Sequence, residues 1–145
     1  MLDLSGCGGF TDLGVEIEYD RGVMQLVYVE TNPSVGLDCT TAQDLEKNPY
    51  NIGWNGTSNT NFNGTLATFR FRISPNVPEG EYVVNVDYYK GRNGDYKDGI
   101  SVNYDENDNP LNLRYEDGFI NVYNYIPGDI NGNGVVDNKD GTALL

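Results

Sequence analysis

Residues 129–140 read DINGNGVVDNKD, and side-chain oxygens recur there at fixed steps. Counted from Asp129 as the first place, Asn131 is third, Asn133 fifth, Asp137 ninth and Asp140 twelfth. A hard cation needs such a pattern. A calcium loop wraps Ca2+ with side-chain oxygens at places 1, 3 and 5, a backbone carbonyl at 7, an often water-bridged ligand at 9 and a carboxylate at 12. The sixth place turns so sharply that it needs a residue without a Cβ, and Gly134 stands there. On this spacing Asp129, Asn131, Asn133, Asp137 and Asp140 are the candidate side-chain ligands. Val135 would give its carbonyl, and Val136 would aim its side chain into a small core. The plainer alternative is an Asn/Gly-rich turn that binds nothing.

A helix should begin at Asn138 with Asp137 as its N-cap. Leu144 and Leu145 would be its apolar contacts. Gly141 weakens it by about 1 kcal/mol relative to alanine, and so short a helix is not stable alone. The loop departs from the EF-hand in two ways. Its twelfth residue is Asp rather than Glu, and a strand followed by Pro127-Gly128 leads into it, so no helix can enter. Both departures resemble the first repeat of a dockerin, over residues 128–145. The resemblance implies Ca2+ held by Asp129, Asn131, Asn133, Asp137 and Asp140. It also implies that Asn138 and Lys139, at the tenth and eleventh places, help to choose the partner, a cohesin. They are not the Ser/Thr pair of one well-known class. A dockerin has two such repeats and only the first is expected here, so the sequence reads as a piece cut inside that module.

Other chemistry is thinner. There are no histidines, which removes Ser-His-Asp triads and most zinc sites. The formal net charge of −13 opposes nucleic-acid binding and anionic membranes, although it suits calcium. No stretch is long and apolar enough to span a bilayer, and the first residues lack the pattern of a signal peptide. Cys7 and Cys39 fit no metal spacing; a disulfide and two free thiols both stay open. Trp54, Tyr88, Tyr89 and Tyr96 are the one aromatic set that could stack on sugar rings. Glu16 and Glu18 share a strand face, but a glycoside hydrolase needs two carboxylates facing each other across a cleft. Asn55-Gly-Thr57 and Asn63-Gly-Thr65 match the N-glycosylation pattern. The acidic tip at residues 105–108 fits no loop spacing.

These residues must be positioned by strands. Aromatics and glycine-rich turns favour an all-β chain. Leu13, Val15, Ile17 and Tyr19 alternate with Gly14, Glu16 and Glu18, as a half-buried strand does. Residues 23–30 form a second strand after an Asp20-Arg21-Gly22 turn. A short helix is expected over residues 40–48, a short strand around Trp54 over 50–55, and turn chemistry over 56–64. Residues 64–74 give the clearest strand, with Ala67, Phe69, Phe71 and Ile73 on one face and Thr68, Arg70 and Arg72 on the other. Strands follow at 81–88 and 118–125, with a hairpin between them pairing 100–104 and 111–115. The expected architecture is a jelly-roll β-sandwich over residues 1–125, with a calcium loop and partial helix over 126–145.

The stretches GFTDLGVEIEYDRGVMQLVYV, GTLATFRFRI, PEGEYVVNV and DGFINVYN resemble, in order and spacing, strands of a cohesin. A cohesin starts one strand earlier. Residues 1–5 supply only the end of its second strand, so an open sheet edge, part of an open core and lower stability are expected. The resemblance implies a non-catalytic, extracellular or cell-surface bacterial assembly, in which the sandwich binds a dockerin on another polypeptide and gathers polysaccharide hydrolases. Thr68, Arg70 and Arg72 are the candidate partner face. The alternative is a carbohydrate-binding sandwich, taking a polysaccharide through Trp54, Tyr88, Tyr89 and Tyr96, appended to a dockerin-bearing hydrolase.

Overall fold

The computed structural model describes residues 1–91, 103–123, 126–131 and 134–143. Its described strands are β1 (Leu2–Leu4), β2 (Phe10–Tyr19), β3 (Met24–Thr31), β4 (Asp38–Thr41), β5 (Tyr50–Thr60), β6 (Gly64–Ile73), β7 (Gly80–Tyr88) and β8 (Gly118–Val122). A 3-10 turn, Pro33–Val35, follows β3, and the helix α1, Asn138–Ala143, closes the described chain. The strands form two antiparallel sheets, ordered β1-β6-β3 and β4-β5-β2-β7-β8. The chain is therefore an all-β sandwich.

The period-two pattern decides which residues meet between the sheets. Leu13, Val15, Ile17 and Tyr19 of β2 are all buried. Met24 and Leu26 of β3, Tyr50, Ile52 and Trp54 of β5 and Leu66 of β6 bury their side chains in the same core. Two edge-to-face ring pairs cross between the sheets, Tyr19 on Phe71 at 5.0 Å and Tyr50 on Phe69 at 6.2 Å. Such geometry sets a positive ring edge on a negative ring face. The Asp20 turn forms as the sequence implies: Val23 and Met24 donate to its carbonyl, and Gly22 donates to its side chain at 2.7 Å.

Three local expectations are corrected. Residues 40–48 make no helix. Thr40 and Thr41 end β4, which pairs with β5 and sets Cys39 beside Trp54. Asp44 then accepts from the amide of Glu46 at 2.9 Å while its carbonyl takes the amide of Lys47. β-Branched threonines suit a strand, and an Asp bonding its own backbone favours a turn over a helix. Second, residues 56–60 are not turn but the far half of β5, which carries Thr60 opposite Phe10 after a register shift. Third, the described part of the expected hairpin is a bridge between Tyr104 and Pro110, with Leu111 donating to Asn103. Residues 111–117 run on outside any strand, and residues 100–102 lie outside the described residues.

Among the described residues β1 has a single neighbour, β6. Between β1 and residues 111–120 lies a groove of about 830 Å³, reaching core side chains from both sheets.

Candidate functional site

The loop after Pro127 is built by its own backbone amides. Gly134 has φ +83°, the left-handed conformation the sixth place requires. Its amide donates to Asp129 Oδ2 at 2.7 Å, tying the first place to the sixth. Asp137 Oδ1 accepts from the Lys139 amide at 2.8 Å, so Asp137 is the N-cap of α1 as expected.

Asp140 draws the loop's two ends together. Its Oδ1 accepts from the amides of Ile130 (2.9 Å) and Asn131 (3.3 Å), and its Oδ2 from that of Asp137 (2.7 Å). The residue is 4% exposed. These amides, Asp137's foremost, hold its carboxyl below the usual carboxylate range because they bond the charged form. Asn138 and Lys139 are exposed on the first turn of α1.

The donor set fits a hard cation: oxygens throughout, a left-handed glycine at the turn, and the twelfth carboxylate folded back to the start of the loop. Among the described residues, however, no three His, Cys, Asp or Glu side chains are gathered as a metal would need. Asp140 faces amides, and Asn133 lies outside the described residues. Val136 departs from expectation. It is 55% exposed and lies over Gly128. Leu144 and Leu145, the expected apolar contacts of the helix, are outside the described residues.

On the sandwich, Thr68, Arg70 and Arg72 stand together on the outer face of the three-stranded sheet. The register sets them opposite Glu30, Tyr28 and Gln25. The Arg70 guanidinium lies 4.9 Å above the Tyr28 ring, a cation–π contact on a ring that is 44% exposed. The opposite face of the molecule is acidic. Asp12, Glu16 and Glu18 project from β2 on the face away from the core. Lys90 Nζ reaches Glu16 at 3.0 Å and Asp87 at 2.7 Å, and its amide donates to Glu16 Oε2 at 3.2 Å. Those partners, Asp87 first, hold its ammonium well above the usual lysine range. Glu16 and Glu18 border a hollow of about 270 Å³ together with Asp87, Lys90 and Asp117. Glu16 is engaged by Lys90, and nothing sets these two acids against each other across a cleft.

The aromatic platform is corrected. Trp54 is 2% exposed and packed in the core, so its ring face is closed to a sugar. Its Nε1 has no hydrogen-bond partner among the described residues. Tyr88 is half-buried, tilted against Tyr115 at 6.4 Å and covered by Lys90 at 5.6 Å. Tyr89 is half-buried, with its amide donating to Gly14. Tyr96 lies outside the described residues.

Both cysteines are free, and burial pushes the Cys39 thiol up. Asn63 of one glycosylation match uses its side chain to bond both the amide and the carbonyl of Cys7. The other, Asn55, is exposed within β5. Asp105 at the acidic tip is tied up by Asn107 and Asn109.

Sequence reasoning missed Asn48 and Asn103. Asn48 bonds both backbone groups of Tyr19, at 2.6 and 3.2 Å, extending β2 by imitating a neighbouring strand. Asn103 is 1% exposed, accepts from Gly14 at 2.9 Å and donates to Tyr115 Oη at 3.0 Å. An Asn inside an otherwise ordinary loop carries no mark of such a role.

The architecture is similar to that of a solved structure. A chain in the crystal structure of a CaDoc0917–CaCohA2 complex at pH 5.5 matches it with a TM-score of 0.54, covering 83% of this chain and 84% of that one at 16% sequence identity. No family model and no curated protein matches the sequence.

Proposed function

We propose that this chain is a non-catalytic assembly module: a cohesin-like sandwich over residues 1–125 that receives a dockerin on another polypeptide, followed over 126–145 by a dockerin-like calcium segment. The observation that carries the reading is the loop itself. Its left-handed Gly134, its Asp137 cap and its Asp140 closure stand directly behind a sandwich. The similar structure adds support, since the name of its complex abbreviates a dockerin and a cohesin. Asp129, Asn131, Asn133, Asp137 and Asp140, with the carbonyl of Val135, would hold Ca2+. The ion would neutralise the carboxylates and fix the entry to α1, where Asn138 and Lys139 would present themselves to a cohesin. The setting that follows is an extracellular complex gathering polysaccharide hydrolases.

The buried Trp54 weighs against the carbohydrate-binding alternative, because a sandwich that stacks sugars needs exposed ring faces.

Calorimetric titration of recombinant dockerins of several classes onto the chain tests the sandwich. Heat with one class and micromolar or tighter affinity are expected; silence with every class would sink the reading. Arg70→Glu with Arg72→Glu should weaken that binding by at least about tenfold if the three-stranded face is the docking face. If Glu16→Lys with Glu18→Lys weakens it instead, the acidic face is the one used. A chelator competition tests the loop: Ca2+ uptake lost in Asp129→Ala is expected, and no uptake by the wild-type chain would remove the calcium half of the proposal.

A further inference from the structure

We propose that the surface which docks on the three-stranded sheet is an acidic helix of the partner polypeptide. Arg70 and Arg72 each receive a carboxylate from it, and Tyr28 positions Arg70 to do so. The inference deepens the reading above and rests on the three-stranded face being the docking face.

The chemistry of the partner follows from what this face lacks. Arg70 and Arg72 are both exposed. Among the described residues no ion pair uses either guanidinium, whereas Lys90 and Arg114 are both paired. The carboxylates of the same sheet are engaged or placed elsewhere. Glu30 lies opposite Thr68, and Asp3 accepts from the Thr65 hydroxyl at 2.6 Å. Even with the Met1 ammonium left aside, these two acids no more than balance the two arginines, in a chain whose formal charge is −13. A partner that covers the two guanidinium groups must bring acceptors, because a charge buried alone is strongly disfavoured. A planar fork of N–H donors matches a carboxylate two bonds at a time. A cationic or wholly apolar surface would leave both forks unmet.

The geometry of the partner follows from the register. Tyr28 stands opposite Arg70 and Gln25 opposite Arg72. The Arg70 guanidinium lies 4.9 Å above the Tyr28 ring, which is itself 44% exposed. Stacking on the ring restrains a long side chain through its flat face. The N–H groups lie in the guanidinium plane, so its edge stays open to a carboxylate. Less rotamer freedom is then lost when the partner binds. Residues two apart on a strand are separated by about 7 Å, close to the roughly 6 Å between side chains at i and i+4 on a helix. Two acids at that helical spacing meet both arginines at once.

The probe is a synthetic helical peptide with glutamates at i and i+4, titrated onto the full chain and read by NMR at the arginine Nε–Hε signals. At about 0.1 M salt, charges beyond roughly 10 Å are screened, so the distant carboxylates of the chain contribute little. The controls are the same peptide with glutamines, the same peptide with lysines, and oligogalacturonate. The glutamate peptide should shift the Arg70 and Arg72 signals ahead of those of Arg21 and Arg114 and bind at least about fivefold more tightly than the glutamine peptide. Tyr28→Leu should weaken it several-fold and Tyr28→Phe should preserve it, with amide signals of β2 and β5 unchanged in both. Equal shifts at all four arginines, equal binding by the glutamine peptide, or no loss in Tyr28→Leu would overturn the proposal. Tighter binding of oligogalacturonate would overturn it too, assigning the arginines to an anionic polysaccharide. The dockerin titration separates this inference from the reading it deepens. Dockerin heat left unchanged by Arg70→Gln with Arg72→Gln sinks the acidic helix and spares the assembly module. The expected peptide shifts with no dockerin heat support the acidic helix and sink the dockerin.

Discussion

Asp140 and Trp54 show two opposite fates of a residue singled out by type. Asp140 bonds three amides of its own loop, so its carboxylate closes the turn. Asp140→Ala should raise hydrogen exchange across residues 129–140, leave β2 and β6 unchanged, and lower Ca2+ affinity by at least about tenfold in the chelator competition. Trp54 is a core residue. Trp54→Ala should cost about 3–5 kcal/mol in denaturant unfolding while leaving retention on a cellulose or xylan gel no different from wild type. Tyr115 supplies a pH dependence. Burial, the largest cause, pushes its phenol up to about 12. Between roughly pH 10, the ordinary tyrosine value, and 12 the folded state holds a proton the unfolded state has released. The stability linked to this group is therefore complete below pH 10 and is lost as pH rises toward 12. Tyr115→Phe should flatten that part of the decline when denaturation midpoints are compared across the window.

At the scale of elements, what could be read depended on whether a segment's local pattern and its tertiary partner agreed. β6 was legible because its alternation is strict where it crosses the core: Phe69, Phe71 and Ile73 pack inward, Arg70 and Arg72 stay out. β2 was legible for the same reason. Residues 40–48 misled because a polar stretch with Leu45 can mimic one helical turn, while the deciding facts, the pairing of β4 with β5 and the Asp44 turn, lie outside the segment or in one side chain. Residues 56–60 misled because Gly, Ser and Asn argue for turns, yet β5 runs on past a register shift to pair Thr60 with Phe10 of β2. In the loop the turn at Gly134 and the cap at Asp137 followed from spacing alone. The exposed Val136 did not, since it depends on how much apolar surface α1 offers. Gly134→Ala tests the loop as an element. A Cβ at φ +83° meets open space, so the cost is conformational, about 1–2 kcal/mol. It should appear as faster exchange at residues 129–137 and about a tenfold loss of Ca2+ affinity, with the sandwich untouched.

The whole molecule divides its stability unevenly. The sandwich holds its core with the strands of both sheets, while α1 spans six residues and joins the rest through the loop. A helix of that length cannot persist by propagation alone, so its exchange should be fast where β2, β5 and β6 exchange near the global limit. A bound cation stabilises only the state that presents its ligands, by RT ln(1 + [L]/Kd), about 2.7 kcal/mol when free Ca2+ is a hundredfold above Kd. If the loop is the calcium site, that increment must fall on residues 129–143 and leave the sandwich's exchange unchanged, because no described strand carries a ligand. Exchange measured with Ca2+ and with a chelator separates the outcomes. Protection confined to the C-terminal segment supports the loop as the site. Protection spread evenly over β2 and β5 would mean that the ion acts on the chain's diffuse negative charge, and then Mg2+ at equal ionic strength should reproduce it.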